Sequence, residues 1–341
     1  MTVEPRDPEL DCVGALIQDA RGRVFVQRRT AERRLLPGIW DIVGGHLEPG
    51  ETPAQALARE IEEETGWVLR ETVALIADWQ WEYDGVVRRE LDYLVTVDGD
   101  LTAPRLEVGK HDATAWVGPD DLELLMVGRT DGDRRLLDIV GRAVRCTVTD
   151  RLRLEPVTTG HAADLHAVQA DPWVAEWYDG AWSYDEAKAR AAWFEDQWRA
   201  DGVSKWLAYR RTGELVGRGG LSCLAPDNPL VAAIASVLPA SVAEVWRRDR
   251  LEVGWALTAQ GRGHGYAAEI GRAGLDLAFG KVGAAAVVAF TEQHNQASRA
   301  VMARLGMRFA GEFTAEGLRE GAAGVVPDAA FALCVIGPDV R

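Results

Sequence analysis

The chain has 341 residues, more than twice the length of a common domain, so its length favours two compact domains. Hydrophobic residues make up 47% and charged residues 27% of the chain, a composition that excludes disordered and fibrous proteins. No apolar run approaches the ~20 residues that span a membrane, and a net charge of -15 opposes nonspecific contact with a phosphate backbone. We therefore expect neither a membrane nor a nucleic acid as a partner.

The start of the chain and its cysteines indicate the compartment. The N-terminus is acidic and has no basic segment followed by an apolar stretch, so no secretory signal is predicted. Cys12, Cys146, Cys223 and Cys334 are widely separated and form no C-x-x-C pair, a spacing that predicts buried free thiols rather than disulfides or a zinc site. We expect a cytoplasmic protein.

The first half of the chain alternates strand and helix patterns, which is typical of a mixed α/β unit. Apolar alternation predicts strands at residues 13–18, 24–27, 73–81, 90–97 and 113–117. Helical spacing predicts helices at residues 53–64, 120–126 and 133–144. The strands at 73–81 and 90–97 are expected to pair antiparallel through a turn at Tyr83, Asp84 and Gly85.

The second half restarts this alternation and predicts an independent core. Strands are predicted from residue 152 onward and at residues 205–210, 215–221, 251–257 and 284–290. Helices are predicted within residues 161–170 and at residues 184–200, 267–279 and 296–305. The long segment 222–250 is predicted to be irregular. The sequence therefore predicts an α/β (α+β) protein with two domains, at residues 1–147 and 148–341.

Carboxylates are concentrated in the predicted helix at residues 53–64. Residues 1–150 carry 18 Lys+Arg against 30 Asp+Glu, and the rest of the chain carries 20 against 23. Glu60, Glu63 and Glu64 project from one helical face, where their repulsion destabilises the helix unless a cation compensates. Mg²⁺ or Mn²⁺ takes oxygen ligands and also neutralises a diphosphate, and Arg59 is placed to orient a carboxylate. The alternative is an acidic helix that only faces solvent.

The segment 44–67, GGHLEPGETPAQALAREIEEETGW, fits the pattern G-x5-E-x7-R-E-U-x-E-E-x-G-U, where U is a bulky apolar residue. The fixed positions are Gly45, Glu51, Arg59, Glu60, Ile61, Glu63, Glu64, Gly66 and Trp67. This segment resembles the Nudix hydrolase family, and the resemblance covers residues 10–143. It implies a Nudix α/β/α sandwich that uses Mg²⁺ or Mn²⁺ to hydrolyse a small molecule in which a nucleoside diphosphate is linked to another group.

The same resemblance implies roles for individual residues. The implied metal ligands are Glu60, Glu63, Glu64 and a backbone carbonyl at Gly44 or Gly45. Arg59, Glu60 and Glu63 are the implied catalytic residues, since one glutamate also activates water. A later acidic ligand is expected at Glu107, with Asp112 as the second choice. The aromatic residues near this site, which either stack on a base or pack in the core, are Trp79, Trp81 and Trp116.

A glycine-rich turn lies within residues 251–268, LEVGWALTAQGRGHGYAA, between a predicted strand and a predicted helix. Such a turn exposes successive backbone N–H groups. Together with the positive end of the helix dipole, these donors bind a pyrophosphate without basic side chains. A plain connection between strand and helix is the alternative, and no Walker lysine is present.

Two further matches indicate a second family. RGHGYA at 262–267 fits R-x-x-G-x-A, and NQASRAVMARLGM at 295–307 fits N-x-x-S followed by an LGF-like end. The segments resemble the GNAT N-acetyltransferase superfamily over residues 150–337, in particular the branch of ribosomal-protein N-terminal acetyltransferases. The resemblance implies acetyl-CoA as cosubstrate and an amine acceptor, either a small molecule or a protein N-terminus.

The resemblance also implies a set of acetyl-CoA-binding residues: Leu257, Arg262, Gly263, His264, Gly265, Tyr266, Ala267, Asn295 and Ser298. The amides of the turn would hold the pyrophosphate, and the Leu257 amide the thioester carbonyl. Asn295 and Ser298 would face the CoA arm. A register of Q-x-x-G-x-G on Gln260, Gly263 and Gly265 would give nearly the same backbone cradle.

Acetyl transfer needs an aligned neutral amine, a route for the ammonium proton and a donor to the leaving thiolate. Glu252 is the candidate base, directly or through water, and the alternative for it is a carboxylate on the strand surface. Many members of the superfamily place a Tyr seven residues after the Asn as the thiolate acid. Met302 occupies that position here, which leaves Ser298 or water as the acid.

Two segments are candidates for the acceptor pocket. The segment 222–250 is longer than the family connection, so it is expected to shape this pocket. An aromatic cluster also lies where the family has acceptor-site helices. It indicates an aromatic or apolar acceptor, and the alternative is that these residues pack in the core. The cluster consists of Trp173, Trp177, Tyr178, Trp182 and Trp193.

The leading prediction is a bifunctional enzyme, a metal-dependent Nudix pyrophosphohydrolase fused to a GNAT acetyltransferase. The alternative is that one domain is a non-catalytic ligand-binding or regulatory module, because folds persist while sites change.

Overall fold

A computed structural model describes residues 10–83, 85–130, 133–178, 180–320 and 324–338, and it divides the chain into two units. The first unit is Met1–Cys146 and the second is Thr147–Arg341. Both units combine helices with sheets, so the predicted mixed α/β class is confirmed. In the described ranges no helix is long and apolar enough to cross a membrane. Asp84 of the predicted hairpin turn lies outside these ranges.

Two sheets and two α-helices form the described part of the first unit. Its elements are β1 (Leu10–Ile17), β2 (Val24–Arg29), β3 (Trp40–Asp41), β4 (Val43–His46), α1 (Pro53–Thr65), β5 (Val68–Tyr83), β6 (Val86–Asp98), β7 (His111–Val117) and α2 (Arg135–Ala143). One sheet has the order β4-β1-β6-β5 and the other the order β3-β2-β7. The predicted helix at 120–126 is a 3-10 helix at Leu122–Met126.

Helix α1 has well-defined ends, and its sequence accounts for both. The Thr52 hydroxyl accepts from the Gln55 N–H and the Gln55 side chain accepts from the Thr52 N–H, which is a capping box. Gly66 ends the helix at a φ of 72° and donates to the Glu62 carbonyl. The apolar face of α1 packs in the core with β1, and the residues that it buries there are Ala56, Leu57 and Ile61.

The second unit is built on one sheet. Its elements are β8 (Thr147–Val148), β9 (Leu152–Pro156), α3 (Ala162–Ala170), α4 (Pro172–Ala175), α5 (Tyr184–Asp201), β10 (Lys205–Arg210), β11 (Leu215–Cys223), α6 (Pro229–Val237), α7 (Ala240–Asp249), β12 (Leu251–Leu257), α8 (Tyr266–Asp276), β13 (Val287–Glu292), α9 (Gln296–Arg304), β14 (Arg308–Leu318) and β15 (Val325–Ile336). The sheet order is β14-β15-β13-β12-β11-β10-β9-β8.

Strands β12 and β13 diverge along their length. They are parallel, and within the described residues Glu252 and Val288 are the only residues that pair between the two strands. On the other side of β12, the Thr258 N–H donates to the carbonyl of Val216 in β11. Successive backbone groups of a strand point to opposite sides, so the Leu257 N–H faces the opening between β12 and β13. The sheet is therefore split at this point.

The prediction for segment 222–250 is wrong, because the segment contains α6 and α7. Asn228 caps α6 by accepting from the Leu230 N–H, and Pro229 starts the helix. Both helices pack on β14 and β15, and their buried residues include Val231, Ile234, Ala235 and Trp246. Residues 230–235 are apolar at every position, so the period of the apolar residues did not distinguish a helix from a strand there.

Candidate active sites

Arg59 lies at the centre of the first candidate site. Its guanidinium donates twice to the Glu51 carboxylate, with both distances 3.0 Å, and to the His46 carbonyl at 3.0 Å. It also donates to Glu60 Oε1 at 2.7 Å and to Glu63 Oε2 at 3.3 Å. The hydrogen bonds from Arg59 hold the pKa of Glu51 below its usual range. One cation therefore fixes three carboxylates of helix α1 and the preceding loop.

Glu64 occupies a different environment from its neighbours on α1. Its carboxylate is buried and accepts from the Gly44 N–H at 3.2 Å and from the Gln27 side chain. Burial raises the pKa of Glu64 to about 8, against the lowering effect of the Gly44 hydrogen bond. His111 Nε2 lies 3.9 Å from Glu64 Oε1, and burial lowers the pKa of His111 to about 4, so this histidine is neutral at pH 7.

The loop before α1 approaches the carboxylates closely because it lacks side chains. A Cβ atom on Gly45 would lie 2.2 Å from Glu60 Oε1, and one on Gly44 would lie 2.3 Å from the Val13 carbonyl. Glycine is thus required at Gly44, where a side chain would meet backbone, whereas a side chain at Gly45 would displace the Glu60 carboxylate. The Glu60 carboxylate therefore lies directly against the backbone at Gly45, which is where the sequence predicts a carbonyl ligand.

The donor set fits a hard divalent cation in its chemistry. All donors are oxygens, and three carboxylates, those of Glu51, Glu60 and Glu63, face the single Arg59 guanidinium, so the site has excess negative charge. The carboxylates are turned towards Arg59 rather than towards one common point. Accordingly, no group of three His, Cys, Asp or Glu side chains in the described ranges already has the geometry of a metal site.

A cleft of about 260 Å³ starts at this loop. Gly45 lines one end, and Trp79, Trp81 and Glu90 line it further along β5 and β6. Trp79 Nε1 donates to Asp92 Oδ2 at 2.7 Å. Burial raises the pKa of Asp92 to about 7 and that of Glu90 well above its usual range, the latter also because of the Asp92 charge. The cleft thus joins the loop before α1 to an aromatic wall and buried carboxyl groups.

The second unit holds a larger cavity of about 930 Å³ in the opening between β12 and β13. The glycine turn before α8 lines it, with Gly263 and Gly265 at φ values of 78° and 80°. The first N–H groups of α8 have no acceptor within the helix, because the ladder begins with Ala268 and Glu269 donating to the Gly265 carbonyl. These free donors and the helix dipole suit an anion.

Glu252 lines the same cavity and is paired with a buried lysine. Lys205 Nζ lies 2.8 Å from Glu252 Oε1 and donates to the Gly220 carbonyl at 3.0 Å. A Cβ atom on Gly254 would lie 3.2 Å from Glu252 Oε2, so the absence of a side chain there keeps the carboxylate accessible from the cavity. Glu252 is therefore part of the cavity wall rather than a carboxylate on the outer strand surface.

Comparisons with known proteins find two families. A family model described as NUDIX domain matches residues 8–138, and one described as acetyltransferase (GNAT) domain matches residues 151–308. The nucleoside triphosphatase NudI of Klebsiella pneumoniae strain 342 is 33% identical over 117 residues, which are 32% of this chain and 81% of that protein. The chain belongs to the Nudix family and carries a GNAT acetyltransferase domain. The predicted pair of domains is confirmed.

Other similar proteins match one domain each. An isopentenyl-diphosphate Delta-isomerase of Kocuria rhizophila is 32% identical over 107 residues, 30% of this chain and 58% of that protein. The chain thus spans less than two thirds of the isomerase. The solved structure of a ribosomal-protein-S5-alanine acetyltransferase from Vibrio fischeri is 14% identical, covers 57% of this chain and 98% of its own, and has a TM-score of 0.43.

The predicted later ligand of the Nudix domain lies in the loop before β7. Glu107 pairs with Lys110 at 2.6 Å, and the second choice, Asp112, pairs with Arg28 at 2.7 Å on the surface. Side chains alternate along a strand, and His111 rather than Asp112 points to Glu64. Of the three tryptophans, Trp116 packs in the core on Phe25 and Trp67, whereas Trp79 and Trp81 line the cleft.

The predicted residues of the GNAT domain mostly line its cavity, namely Glu252, Leu257, Arg262, Gly263, Gly265, Ala267, Asn295, Ser298 and Met302. The Asn295 side chain also caps α9 by accepting from the Ser298 N–H at 3.0 Å. His264 and Tyr266 stack on each other with ring centroids 5.4 Å apart. The expectation that segment 222–250 shapes this pocket is wrong, because none of its residues, all of which the structure describes, lines the cavity.

Three residues of these sites were missed in the sequence. His111, Lys205 and Arg218 are all buried beside them. Arg218 is the single charge inside the predicted strand 215–221, and Lys205 is the first residue of the predicted strand 205–210; a charge within an apolar strand is an available signal for a functional position. Their partners come from distant segments, so the pairing of Lys205 with Glu252 depends on a strand register that the sequence leaves open.

Proposed function

We propose that the protein is a bifunctional enzyme. Its Nudix domain, residues 1–147, hydrolyses a nucleoside diphosphate linked to another group with Mg²⁺ or Mn²⁺. Its GNAT domain, residues 148–341, transfers an acetyl group from acetyl-CoA to an amine. The first proposal is supported by the arrangement of Glu51, Glu60 and Glu63 around the Arg59 guanidinium. The cavity at the split between β12 and β13 carries the second.

In the Nudix domain, Arg59 of α1 orients the carboxylates that take part in catalysis. A divalent cation, when bound, neutralises the diphosphate and makes a bound water more acidic. We assign Glu60, Glu63, Glu64 and the Gly45 carbonyl as its ligands, with Glu107 from the loop before β7. Glu63 has a side chain that is 49% exposed, so its carboxylate is available to accept the proton of the attacking water. Arg59 keeps Glu60 and Glu63 on this side of the helix.

In the GNAT domain the amine nitrogen attacks the thioester carbon, so a C–N bond forms as the C–S bond breaks. The ammonium proton passes to the Glu252 carboxylate, directly or through water, while Lys205 keeps that carboxylate in the cavity wall. The thiolate takes a proton from Ser298 or water, since Met302 has none to give. The turn amides from Arg262 to Ala267 hold the pyrophosphate of acetyl-CoA, and the Leu257 amide holds the thioester carbonyl.

A substrate panel tests the hydrolase. Wild-type protein with Mg²⁺ or Mn²⁺ is expected to release a nucleoside monophosphate or phosphate from at least one nucleoside diphosphate compound. Glu63→Gln removes the proton acceptor and is expected to lower this rate at least about a hundredfold. Glu62→Gln is the matched control, since Glu62 is the exposed neighbour at a variable position of the box. Equal rates for the two variants would contradict the assignment, and no turnover across the panel would favour a ligand-binding Nudix module.

Acetyl-CoA binding tests the second domain. Gly263 has a φ of 78°, a conformation that costs other residues roughly 1–3 kcal/mol, so Gly263→Ala is expected to weaken binding about tenfold by distorting the turn. Gly280→Ala is the control, because a Cβ atom there meets nothing within 4 Å. Titration calorimetry measures both. Unchanged affinity in Gly263→Ala would remove the turn from the proposed site.

The four cysteines of the chain are free thiols. Such thiols persist in a reducing compartment, and nucleotides and acetyl-CoA are substrates of the same compartment. We therefore propose that the enzyme acts in the cytoplasm.

A further inference from the structure

One end of the GNAT cavity is built from aromatic rings and arginines. We call this end the aromatic chamber, and it consists of Tyr178, Trp182, Arg190, Trp193 and Arg218. Helix α5 and the segment before it supply the first four residues, and strand β11 supplies Arg218. The rings of Tyr178 and Trp193 are each 42% exposed, so the chamber opens to solvent.

Arg218 has unmet hydrogen-bonding capacity although it is buried. The residue is 5% exposed, and its guanidinium carbon lies 5.1 Å from the Tyr178 ring centre and 5.6 Å from that of Trp182. Its closest described polar contact is a long one, 3.4 Å to Gln169 Oε1, and its Nε has no hydrogen-bond partner in the described ranges. Gln169 Nε2 is equally without a partner there. Buried donors in this state indicate that an acceptor group is missing.

A second guanidinium faces the same rings. The Arg190 guanidinium carbon lies 5.4 Å from the Trp182 ring centre and 5.3 Å from that of Trp193. The two arginines thus occupy the ring faces that would otherwise attract an ammonium group. The acidic residues of the cavity are Glu176, Glu252 and Glu292, and Glu252 is neutralised by Lys205. The chamber therefore favours an anion next to a planar or apolar group.

The strand register relates this chamber to the reacting end of the cavity. Arg218 lies opposite Ala256 of β12, and Glu252 lies four residues earlier on the same strand. At ~3.3 Å per residue, about 13 Å separates these two levels. Residues 253–255, in the diverging part of β12, lie between these two levels and line the cavity. Leu257, whose amide is assigned to the thioester carbonyl, lies opposite Gly217, the neighbour of Arg218. A compact molecule can therefore place an anionic group at Arg218 and its amine beside that carbonyl.

We propose that the acetyl acceptor is a compact amine that also carries a carboxylate or phosphate beside an apolar or aromatic group. Arg218 binds the anionic group through its free N–H, Arg190 adds a second positive charge, and the rings contact the apolar part. This inference rests on the proposed acetyltransferase activity, whose acceptor it specifies. It also makes Arg218 a specificity-determining residue of the reaction.

Pairs of probes with and without an anionic group test the effect of that charge separately from the effect of the ring and the amine. Titration calorimetry on the full chain compares phenylalanine with its methyl ester, which keeps the ring and the amine but lacks the carboxylate. The acid is expected to bind at least about tenfold more tightly, because a buried charge pair is lost in the ester. Phosphoethanolamine and ethanolamine form the corresponding pair for a phosphate, so the two arms distinguish the two anions.

The variants test the arginines directly. Arg218→Gln is expected to lose the preference for the acid while acetyl-CoA binding stays unchanged, and Arg218→Lys is expected to keep part of it, since lysine offers a charge without the planar fork. Arg190 is exposed, so Arg190→Gln leaves the fold intact. It is expected to weaken the binding of the acidic probe roughly threefold. Lys188→Gln, at an exposed position on the same helix outside the cavity, is the control.

The outcomes for the acceptor and for the enzyme are distinguishable. If neither anionic probe binds better than its neutral partner, or if the preference survives both Arg218→Gln and Arg190→Gln, the proposed anion site is wrong. If amines are acetylated without regard to an anionic group, the acetyltransferase stands and the acceptor proposal fails. If the anion preference depends on Arg218 but no amine is ever acetylated, the anion site stands and the proposed activity fails.

Discussion

Arg59 holds three carboxylates of the Nudix box with one guanidinium group. It contacts Glu51 through two hydrogen bonds and reaches Glu60 and Glu63 through a single nitrogen, Nη1. A guanidinium is planar and has donors on several sides, so it can serve all three partners at once. A lysine ammonium at the same place cannot reproduce this geometry.

Arg59→Lys is therefore expected to lower hydrolysis by roughly 10–100-fold, the usual effect of losing a residue that orients metal ligands. The charge is retained, so the change reports geometry rather than electrostatics. Metal titration of the activity measures it, and higher metal concentration is expected to recover part of the rate. Arg70→Lys is the control, because the contacts of Arg70, an ion pair with Asp98 at 3.7 Å and a hydrogen bond to the Thr96 hydroxyl at 3.3 Å, are exposed. Full activity in Arg59→Lys would rule out this orienting role.

Strand β6 carries acidic groups whose surroundings were not visible in the sequence. Asp92 is fully buried, lies behind the aromatic wall of the cleft and accepts from Trp79. A carboxyl whose pKa is raised by burial stabilises the fold in its protonated form. The stability from Asp92 is thus present at low pH and is lost as the pH rises from about 4 towards about 7, the pKa in the folded state.

Asp92→Asn is expected to remove this pH dependence. Between pH 5 and pH 8 the wild-type Nudix domain should lose roughly 2 kcal/mol of unfolding free energy through Asp92, and the variant should lose less. Denaturant unfolding of the full chain at several pH values measures the difference. Asp98→Asn is the control, because Asp98 lies on the same strand with a side chain that is 65% exposed. A parallel loss in Asp92→Asn and wild type would show that Asp92 is ionised throughout.

The regular elements with local signals were predictable, and those defined by distant contacts were not. The predicted helix at 53–64 corresponds to Pro53–Thr65, because its capping box and the glycine at its end are local. The predicted strand at 284–290 begins only at Val287, since a π-helical segment ends at Gly283 just before it. The positions of Lys205 and Arg218 in the cavity depend on the register of β10, β11 and β12, which local sequence does not define.

The same distinction holds for the sites. Residues within one motif, such as Arg59 and Glu60, are close in sequence and were assigned from the resemblance of that motif to the Nudix family. The residue of strand β7 that lies near Glu64 is His111, whereas its neighbour Asp112, the second choice for the later ligand after Glu107, pairs with Arg28 on the surface. Neighbouring residues of a strand point to opposite faces of the sheet, so contacts of this kind depend on which face each residue takes.

At the scale of the whole molecule, the chain consists of two units with cores of their own. The core around α1 is made from residues of the first unit, such as Val13, Leu57 and Val95. The core between β12 and α8 is made from residues of the second unit, such as Val253 and Leu275. Units with separate cores bind their ligands independently unless binding changes the state of the other unit.

Calorimetric unfolding of the intact chain tests this independence. Acetyl-CoA at 100 times its Kd stabilises the state that binds it by about 2.7 kcal/mol, which raises the Tm of one transition by roughly 5–10 °C. The other transition is expected to stay in place and to respond instead to Mn²⁺ with a nucleotide. In Gly263→Ala the acetyl-CoA shift should shrink while the metal response remains. A single transition that moves with either ligand would contradict this independence, because it would show that the two units unfold together.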